Sequence, residues 1–305
     1  MAARARADRV LLVSENRPEF PIADTAIMAI GAISVPTYVT NLPSDHAHIL
    51  RDSGARFAIV SSAALAKRVL EGAALAHGLD GLICCETPPE APGLATHLWA
   101  NALATPADPV ALEAETHLIA SEALACLIYT SGTGGAPKGV MLPNYTVAAN
   151  LDAIIEAAEV DPDVDVMVSW LPLYHDMGLV GFLAMPMTKG VNLVQAAPQD
   201  FLAHPGNWMD WISDYRGTAT AGPNFSWVLA TRALKRKTDL DLSSLTLALS
   251  GAEPVDPKAV EAFVAEAERF GFTAGGVFPA FGMAEVAIAG AFPVRGRGLV
   301  TDTVD

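Results

Sequence analysis

The stretch that decides the fold is Ala123-Leu-Ala-Cys-Leu-Ile-Tyr-Thr-Ser-Gly-Thr-Gly-Gly-Ala-Pro-Lys-Gly139. Residues 123–129 form an apolar run, which is typical of a parallel strand covered on both faces. The glycines that follow let the backbone turn tightly and point successive N–H groups at an anion. The hydroxyls of Thr130, Ser131 and Thr133 add donors, and Lys138 adds a cation. This stretch predicts a strand that runs into a polyphosphate-binding loop, and the alternative is a surface loop without a ligand.

The loop differs from the Walker A motif of phosphotransferases. That motif places Ser or Thr directly after its lysine and opens a helix there. Here Pro137 precedes Lys138 and Gly139 follows it, so no hydroxyl is placed for a metal ion in that way. A phosphotransferase that moves the γ-phosphate remains a rival hypothesis, and Gly139 argues against it.

The rest of the chain alternates apolar strand patterns with helical patterns. Strands are predicted at 10–14, 33–35, 57–60, 81–85, 123–129, 165–170, 192–195, 217–221, 245–250 and 277–281. This alternation predicts an α/β fold of two doubly wound, mostly parallel sheets with flanking helices. We assign residues 25–160 to one sublobe, and residues 161–295 together with 1–24 to the other. Ligands of such folds bind beyond the carboxyl ends of the strands.

Composition excludes several classes of function. The 305 residues include 34 acidic and 19 basic ones, and this excess of negative charge opposes binding to nucleic acid. The cysteines, Cys84, Cys85 and Cys126, are too few and too unevenly spaced for a disulfide framework or a metal quartet. Their pattern predicts buried thiols in a reducing cytoplasm. The apolar run 22–39 contains Asp24, Gly31 and Pro36, and it predicts a helix, a turn and a strand but no transmembrane segment.

Two further motifs follow predicted strands. The first is Trp170-Leu-Pro-Leu-Tyr-His-Asp-Met-Gly178, and another aromatic segment, Gly222-Pro-Asn-Phe-Ser-Trp227, lies farther along the chain. The second is split between Leu249-Ser-Gly-Ala-Glu-Pro254 and Pro279-Ala-Phe-Gly-Met-Ala-Glu285. Small residues at a strand end let a flat ring approach the backbone, and an aromatic side chain can stack on that ring. Ordinary core packing of the aromatic residues, and a surface position for the glutamate, are the alternatives.

Together these motifs resemble the adenylate-forming superfamily, which includes fatty-acyl-AMP ligases, acyl-CoA synthetases, peptide-synthetase adenylation domains and luciferases. The resemblance rests on the loop at 129–139, the Tyr-His-Asp motif at 174–176 and the Gly-x-x-Glu motif ending at Glu285. Gly134 replaces a threonine that is usual in the loop, and Phe281 replaces a usual tyrosine. The Leu-Pro-Leu-Tyr-His-Asp-Met-Gly segment is most similar to the fatty-acyl-AMP ligases and related long-chain synthetases.

The resemblance implies a role for each motif residue. Lys138, His175 and Glu285 would act in catalysis, and Glu285 with Thr133 would hold Mg²⁺. Contacts to ATP or AMP are expected from Thr130, Ser131, Gly132, Thr133, Gly134, Lys138, Gly251, Ala252, Glu253, Phe281, Gly282, Met283 and Ala284. The acyl pocket is expected to include Trp170, His175, Met177, Gly178, Phe182, Asn224 and Phe225.

The implied reaction is ATP-dependent activation of a fatty acid to acyl-AMP. A thiol, from CoA or from the phosphopantetheine of a carrier protein, then accepts the acyl group, and a polyketide synthase is a candidate partner. By comparison with the family, residues 1–305 are expected to be an N-terminal domain truncated at both ends, without the mobile C-terminal domain. The alternative function is therefore a catalytically incomplete fragment that binds nucleotide or acyl chain without turnover.

Overall fold

The computed structural model describes residues 8–130 and 136–302. The chain divides into two compact units. The first unit comprises Met1–Val147 and Leu173–His175, and the second comprises Ala148–Pro172 and Asp176–Asp305. Each unit contains its own parallel sheet with flanking helices, which confirms the predicted α/β fold.

The first unit is built on a seven-stranded sheet with the order β5-β4-β3-β1-β2-β6-β7. Neighbouring strands are parallel, except that β6 and β7 form an antiparallel pair. The strands are β1 (Arg9–Val13), β2 (Ile33–Pro36), β3 (Phe57–Val60), β4 (Gly81–Cys84), β5 (Ala95–Leu98), β6 (Leu124–Thr130) and β7 (Lys138–Pro143).

Local sequence explains the helices that connect these strands. Ser62 caps one helix by accepting a hydrogen bond from the Leu65 N–H at 3.3 Å, and Gly54 ends another with φ of 70°. Gly72 lets these two helices approach closely, since an added Cβ would lie 2.7 Å from His46 Cβ. The helices are α1 (Glu19–Ala29), α2 (Pro43–Ser53), α3 (Ala63–Ala74), α4 (Trp99–Leu103) and α5 (Pro109–Thr116). A further helix, α6 (Asn144–Ala157), follows β7, and its residues from Ala148 belong to the second unit.

The second unit is built on a five-stranded sheet with the order β12-β11-β10-β8-β9, in which all neighbours are parallel. A separate antiparallel pair, β13 and β14, follows it. The strands are β8 (Val166–Ser169), β9 (Asn192–Gln195), β10 (Ala219–Gly222), β11 (Leu247–Ser250), β12 (Val277–Pro279), β13 (Phe281–Gly282) and β14 (Ala289–Ala291).

Aromatic side chains fill much of the core of the second unit. Trp208 and Trp227 are fully buried, with ring centroids 4.6 Å apart, and Phe263 extends this cluster. A π-helix, Met177–Ala184, precedes the α-helices of this unit. These are α7 (Met185–Lys189), α8 (Pro198–Ala203), α9 (Asn207–Asp214), α10 (Asn224–Leu234) and α11 (Pro257–Ala267).

The structure corrects the predicted sublobes at three places. Residues 148–160, assigned to the first sublobe, belong to the second unit, and Leu173–His175, assigned to the second sublobe, belong to the first unit. Residues 1–24 were assigned to the sublobe of 161–295, but β1 lies between β3 and β2 in the sheet of the first unit. The register pairs Leu11 with Val35 and with Ala58, and the Leu11 side chain is fully buried there. Strands β5 and β7, both at the edges of this sheet, were not predicted.

Two further features bear on the sequence analysis. Cys84, Cys85 and Cys126 are free thiols, of which Cys84 and Cys126 are buried and Cys85 is half-buried. Over residues 8–130 and 136–302, the structure contains no helix with the length and apolar character needed to span a membrane.

Candidate functional site

The predicted polyphosphate loop joins the two strands of an antiparallel hairpin. Thr130 ends β6, Lys138 begins β7, and these two residues are paired across the hairpin. Lys138 is exposed and Thr130 is half-buried. Ser131, Gly132, Thr133 and Gly134 lie outside the described residues. Because a strand follows the lysine, the local fold differs from a Walker A motif, in which a helix follows it.

Helix α2 contacts both sides of this hairpin. The Tyr129 hydroxyl donates a hydrogen bond to Asp52 Oδ2 at 2.7 Å, and His48 Nε2 lies 2.7 Å from the Pro137 carbonyl oxygen. Burial, and then the hydrogen bond to Asp52, raise the pKa of Tyr129 well above its usual value. The opposing Gly139 leaves room for the Tyr129 ring, because an added Cβ would lie 3.0 Å from Cζ. Sequence reasoning did not identify His48 or Asp52.

His175 belongs to the tripeptide Leu173–His175, which groups with the first unit. The Leu173 N–H donates to Asn16 Oδ1 at 3.0 Å, and the buried Tyr174 ring lies 5.0 Å from the Tyr38 ring. His175 itself is half-buried. Asn16 and Tyr38 therefore fix the backbone that carries His175, and neither residue was predicted to contribute.

Both of these elements lie at one edge of the seven-stranded sheet. Thr130 is at the carboxyl end of β6, and Asn16 follows the carboxyl end of β1. Strand β2 lies between them and is parallel to both. Since neighbouring strands are about 4.8 Å apart, the two strand ends are separated laterally by roughly 10 Å. The hairpin and the Leu173–His175 tripeptide are thus neighbours at the edge where ligands of parallel sheets bind.

The residues after His175 form the π-helix of the second unit. Its first turn begins at Asp176, a buried residue whose Oδ1 accepts a hydrogen bond from the Met177 N–H at 2.7 Å. Gly178 packs against backbone, because an added Cβ would lie 2.2 Å from the Pro172 oxygen. π-Helical turns are rare and often occur at functional sites. Met177, Gly178 and Phe182 are buried here, and their assignment to an acyl pocket stays a prediction.

The predicted adenine segments meet at the carboxyl edge of the five-stranded sheet. The Ala280 N–H donates to the Ser250 oxygen at 2.8 Å, and a Cβ added at Gly251 would lie 2.9 Å from the Ala280 oxygen. Ala252 has φ of 67°, a left-handed conformation that is uncommon outside glycine and often marks functional sites. Strands β11 and β12 thus bring Gly251 and Ala252 beside the segment that leads to Phe281.

A cleft of about 410 Å³ opens beside these strand ends. It is lined by Asn224, Phe225, Val228, Leu229, Glu253 and Pro254. Glu253 Oε1 accepts a hydrogen bond from the Phe225 N–H at 2.9 Å, and Asn224 Oδ1 accepts one from the Asp256 N–H at 3.0 Å. These bonds tie the start of α10 to the segment after β11. Glu253 therefore has an observed structural contact, and its role toward a nucleotide stays a prediction.

A cluster of aromatic side chains packs next to Phe225, which lines this cleft. Trp170 follows β8 and stacks on Phe201, with centroids 3.9 Å apart. Its ring meets the exposed Phe225 ring edge-on at 6.4 Å. The Trp170 indole N–H is buried and has no acceptor among the described residues. Trp170, Asn224 and Phe225, which were assigned to the acyl pocket, are thus clustered in the second unit.

Phe281 and Glu285 lie on the segment around β13. The Phe281 side chain is 64% exposed, which leaves its face available for stacking. Gly282 is required by close packing, because a Cβ there would lie 2.1 Å from the Ile288 oxygen. Met283 is exposed, Ala284 is buried, and Glu285 is an exposed carboxylate in a 3₁₀ turn, Ala284–Val286. No cluster of three or more His, Cys, Asp or Glu residues that could hold a metal occurs in the described part of the chain.

The predicted residues fall into two groups, one in each unit. Thr130, Lys138 and His175 lie in the first unit. The second unit holds the other predicted site residues that the structure describes: Trp170, Met177, Gly178, Phe182, Asn224, Phe225, Gly251, Ala252, Glu253, Phe281, Gly282, Met283, Ala284 and Glu285.

Three comparisons with known proteins relate this geometry to a family. A putative ligase of Mycobacterium tuberculosis is 44% identical over 190 residues, covering 61% of this chain and 35% of the relative. A medium-chain-fatty-acid–acyl-carrier-protein ligase of Moorena producens is 39% identical over 172 residues, covering 56% of this chain and 29% of the relative. A solved structure from work on fatty acyl-adenylate ligases of E. coli and L. pneumophila superposes with a TM-score of 0.79 at 30% identity, covering 97% of this chain and 50% of that one.

The chain thus spans about half the length of that solved structure and about a third of the two curated relatives. The family model described as AMP-binding enzyme matches residues 4–303. This match takes in both parallel sheets, the hairpin at Lys138 and the segments at the strand ends of the second unit. The chain belongs to the AMP-binding enzyme family.

Proposed function

We propose that this protein activates a fatty acid with ATP, forming acyl-AMP and pyrophosphate. The observation that carries the proposal is the β6–β7 hairpin, which sets the exposed Lys138 opposite Thr130 at the edge of a parallel sheet. The family match and the fatty-acid ligases among its relatives support the same reaction. The cleft at Phe225 supports an acyl substrate, because it offers an aromatic wall beside the strand ends.

In the proposed reaction, a carboxylate oxygen of the fatty acid attacks the α-phosphorus of ATP. The bond from that phosphorus to the bridging oxygen breaks, and pyrophosphate leaves. Lys138 stabilises the negative charge on the phosphates, and such electrostatic and positioning effects account for most catalysis of phosphorus transfer. His175 is proposed to orient the carboxylate, and Phe281 is proposed to stack on the adenine ring.

The residues present fit a magnesium ion. Mg²⁺ usually keeps several waters and binds through one or two carboxylates together with substrate phosphates. Glu285 offers such a carboxylate, since it is exposed in a short turn at the end of the adenine segment. We propose that Glu285, with Thr133, holds the ion. When bound, Mg²⁺ would neutralise part of the charge on the phosphates.

The acyl group is proposed to pass from acyl-AMP to a thiol. CoA and the phosphopantetheine of an acyl-carrier protein are the two candidate acceptors. The Moorena producens relative is described as an acyl-carrier-protein ligase, which supports a carrier protein, free-standing or within a polyketide synthase. Because the three cysteines are free thiols, as suits a reducing compartment, we propose a cytoplasmic location.

The test is pyrophosphate release by the purified chain with ATP, Mg²⁺ and saturated fatty acids of medium and long chain length. We expect release that depends on the fatty acid and that falls at least tenfold in Lys138→Ala, together with AMP as the nucleotide product. Binding of ATP without release would favour the alternative of an incomplete binding fragment. Formation of ADP in place of AMP would support a phosphotransferase and would refute adenylation.

A further inference from the structure

Helix α2 contacts both sides of the β6–β7 hairpin, at Tyr129 in β6 and at Pro137 just before β7, through two side chains on one helical face. His48 and Asp52 are four residues apart in this helix, so their side chains lie one above the other. His48 reaches Pro137 on one side of the hairpin, and Asp52 reaches Tyr129 on the other. The helix is thus bound to the chain just before the joining segment and just after it.

The contact at Asp52 fixes the first side of the hairpin. Tyr129 is 3% exposed, and its hydroxyl donates to Asp52 Oδ2 at 2.7 Å. A buried hydroxyl that loses its acceptor carries a desolvation penalty, so this bond holds the ring in one place. Gly139 lies opposite Tyr129 and packs against its ring. The position of the ring therefore also sets the position of β7 next to Lys138.

The contact at His48 fixes the second side. Its ring nitrogen Nε2 lies 2.7 Å from the carbonyl oxygen of Pro137, which requires a proton on that nitrogen. The carbonyl belongs to the peptide bond that enters Lys138. Because a peptide bond is planar, fixing its oxygen also fixes the orientation of the Lys138 N–H. Proline restricts its own φ as well, so little freedom remains just before the lysine.

We propose that His48 and Asp52 are positioning residues for polyphosphate binding: they hold both sides of the hairpin so that Lys138 and Thr130 present their polar groups in a preformed arrangement. This inference rests on the proposed function, since it takes the hairpin to be the ATP site. Neither side chain needs to touch the nucleotide. The benefit is preorganisation, because a hairpin already held in place loses less conformational freedom when the ligand binds.

The test measures ATP and fatty-acid binding by calorimetry for the full chain and its variants. His48→Ala and Asp52→Ala should each weaken ATP binding about five- to tenfold, while fatty-acid binding stays within about twofold. Asp52→Asn keeps an acceptor oxygen for Tyr129, and His48→Gln keeps an N–H donor, so both should recover most of the loss. Arg51→Ala is the matched control: it lies on α2 but donates to the Leu75 oxygen at 2.9 Å, away from the hairpin. Its ATP affinity should not change.

The outcomes separate this inference from the proposed function. If Lys138→Ala loses ATP binding while His48→Ala and Asp52→Ala keep it, the positioning role is wrong and the ATP site stands. If the two variants lose ATP and fatty-acid binding together, in step with their melting temperatures, the effect is general destabilisation and the inference is overturned. If the unaltered chain binds no ATP, or Lys138→Ala binds it equally well, the hairpin is not the ATP site and both proposals fail.

Discussion

The sharpest stability prediction concerns Arg295→Ala in the second unit. The Arg295 guanidinium donates to both carboxylate oxygens of Asp165, at 3.0 and 3.2 Å. It also donates to the Glu159 carbonyl at 2.8 Å and to the Thr246 hydroxyl at 2.7 Å. Asp165 is 3% exposed, so removing the arginine leaves a buried carboxylate without its cation. Breaking such a pair from one side lowers the free energy of unfolding by about 3–5 kcal/mol.

The loss should depend on pH in a defined direction. Burial alone would raise the pKa of Asp165, but hydrogen bonds from Arg295, Thr218 and the Asp161 N–H hold it below its usual value. This carboxylate therefore stabilises the native chain above its unfolded pKa of about 3.9, and that contribution is lost as the pH falls through the folded value. In Arg295→Ala the hydrogen bonds from the guanidinium are lost while those from Thr218 and the Asp161 N–H remain, so the pKa of Asp165 should rise. The difference in the free energy of unfolding between the wild-type chain and the variant should be large at pH 7 and should become smaller toward pH 4.

The assay is urea unfolding followed by tryptophan fluorescence. Four of the five tryptophans, Trp170, Trp208, Trp211 and Trp227, lie in the second unit, so the signal reports mainly on that unit. Arg297→Ala is the matched control, because Arg297 is exposed on the same terminal segment. Asp165→Asn in the Arg295→Ala background should restore part of the stability at pH 7 by removing the unpaired charge. If Arg295→Ala lowers the free energy of unfolding by less than about 1 kcal/mol, and by the same amount at pH 7 and pH 4, the reasoning is refuted.

Three other variants test single contacts. Gly178→Ala should lower the free energy of unfolding by about 3 kcal/mol, because its Cβ would lie 2.2 Å from the Pro172 oxygen. Gly181→Ala, with open space around it, is the control in thermal melts. Asp24→Asn should stabilise the chain strongly at pH 7.5 and only slightly at pH 4: burial raises the Asp24 pKa to about 6, so the wild-type chain loses stability as the pH rises from the unfolded pKa of about 3.9 through that value. An unchanged difference in melting temperature between the two pH values would contradict this. Asn16→Ala removes the acceptor of the Leu173 N–H and should slow pyrophosphate release about tenfold without changing ATP affinity; an equal loss of both would indicate general damage.

Local patterns in the sequence account for the parts of the fold that were predicted. Central strands such as β1 and β6 contain continuous apolar runs, because both of their faces are covered. Two of the strands that were not predicted, β5 and β7, lie at the edges of the seven-stranded sheet. β5 reads Ala-Thr-His-Leu, and β7 begins with Lys-Gly and ends with proline. Such strands form because the neighbouring strand has unpaired backbone N–H and C=O groups along its edge. Their own sequences lack the continuous apolar pattern by which the central strands were predicted.

The candidate site also has a part that was predicted from the sequence and a part that was not. Its motif residues follow predicted strands, and the structure has Thr130, Gly251 and Trp170 at the carboxyl ends of β6, β11 and β8, whereas Lys138 begins β7. The residues that support them come from far along the chain. His48 and Pro137 are 89 residues apart, Asp52 and Tyr129 are 77 apart, and Asn16 and Leu173 are 157 apart. A single polar residue on a helix or after a strand has many uses, and only the fold reveals which partner it meets.

Under the proposed function, these supporting contacts would let the first unit hold parts of two substrates at one edge. Asn16 follows β1 and holds the backbone of His175, whereas the hairpin that carries Lys138 extends from β6. With β2 between them, the two strand ends are about 10 Å apart, which is wide enough for a fatty carboxylate and a phosphate chain to lie side by side. Each side chain has its own support: Asn16 holds the backbone of His175, and α2 holds the hairpin that carries Lys138. Weakening one support should therefore impair one substrate and spare the other, which a single shared support would not allow.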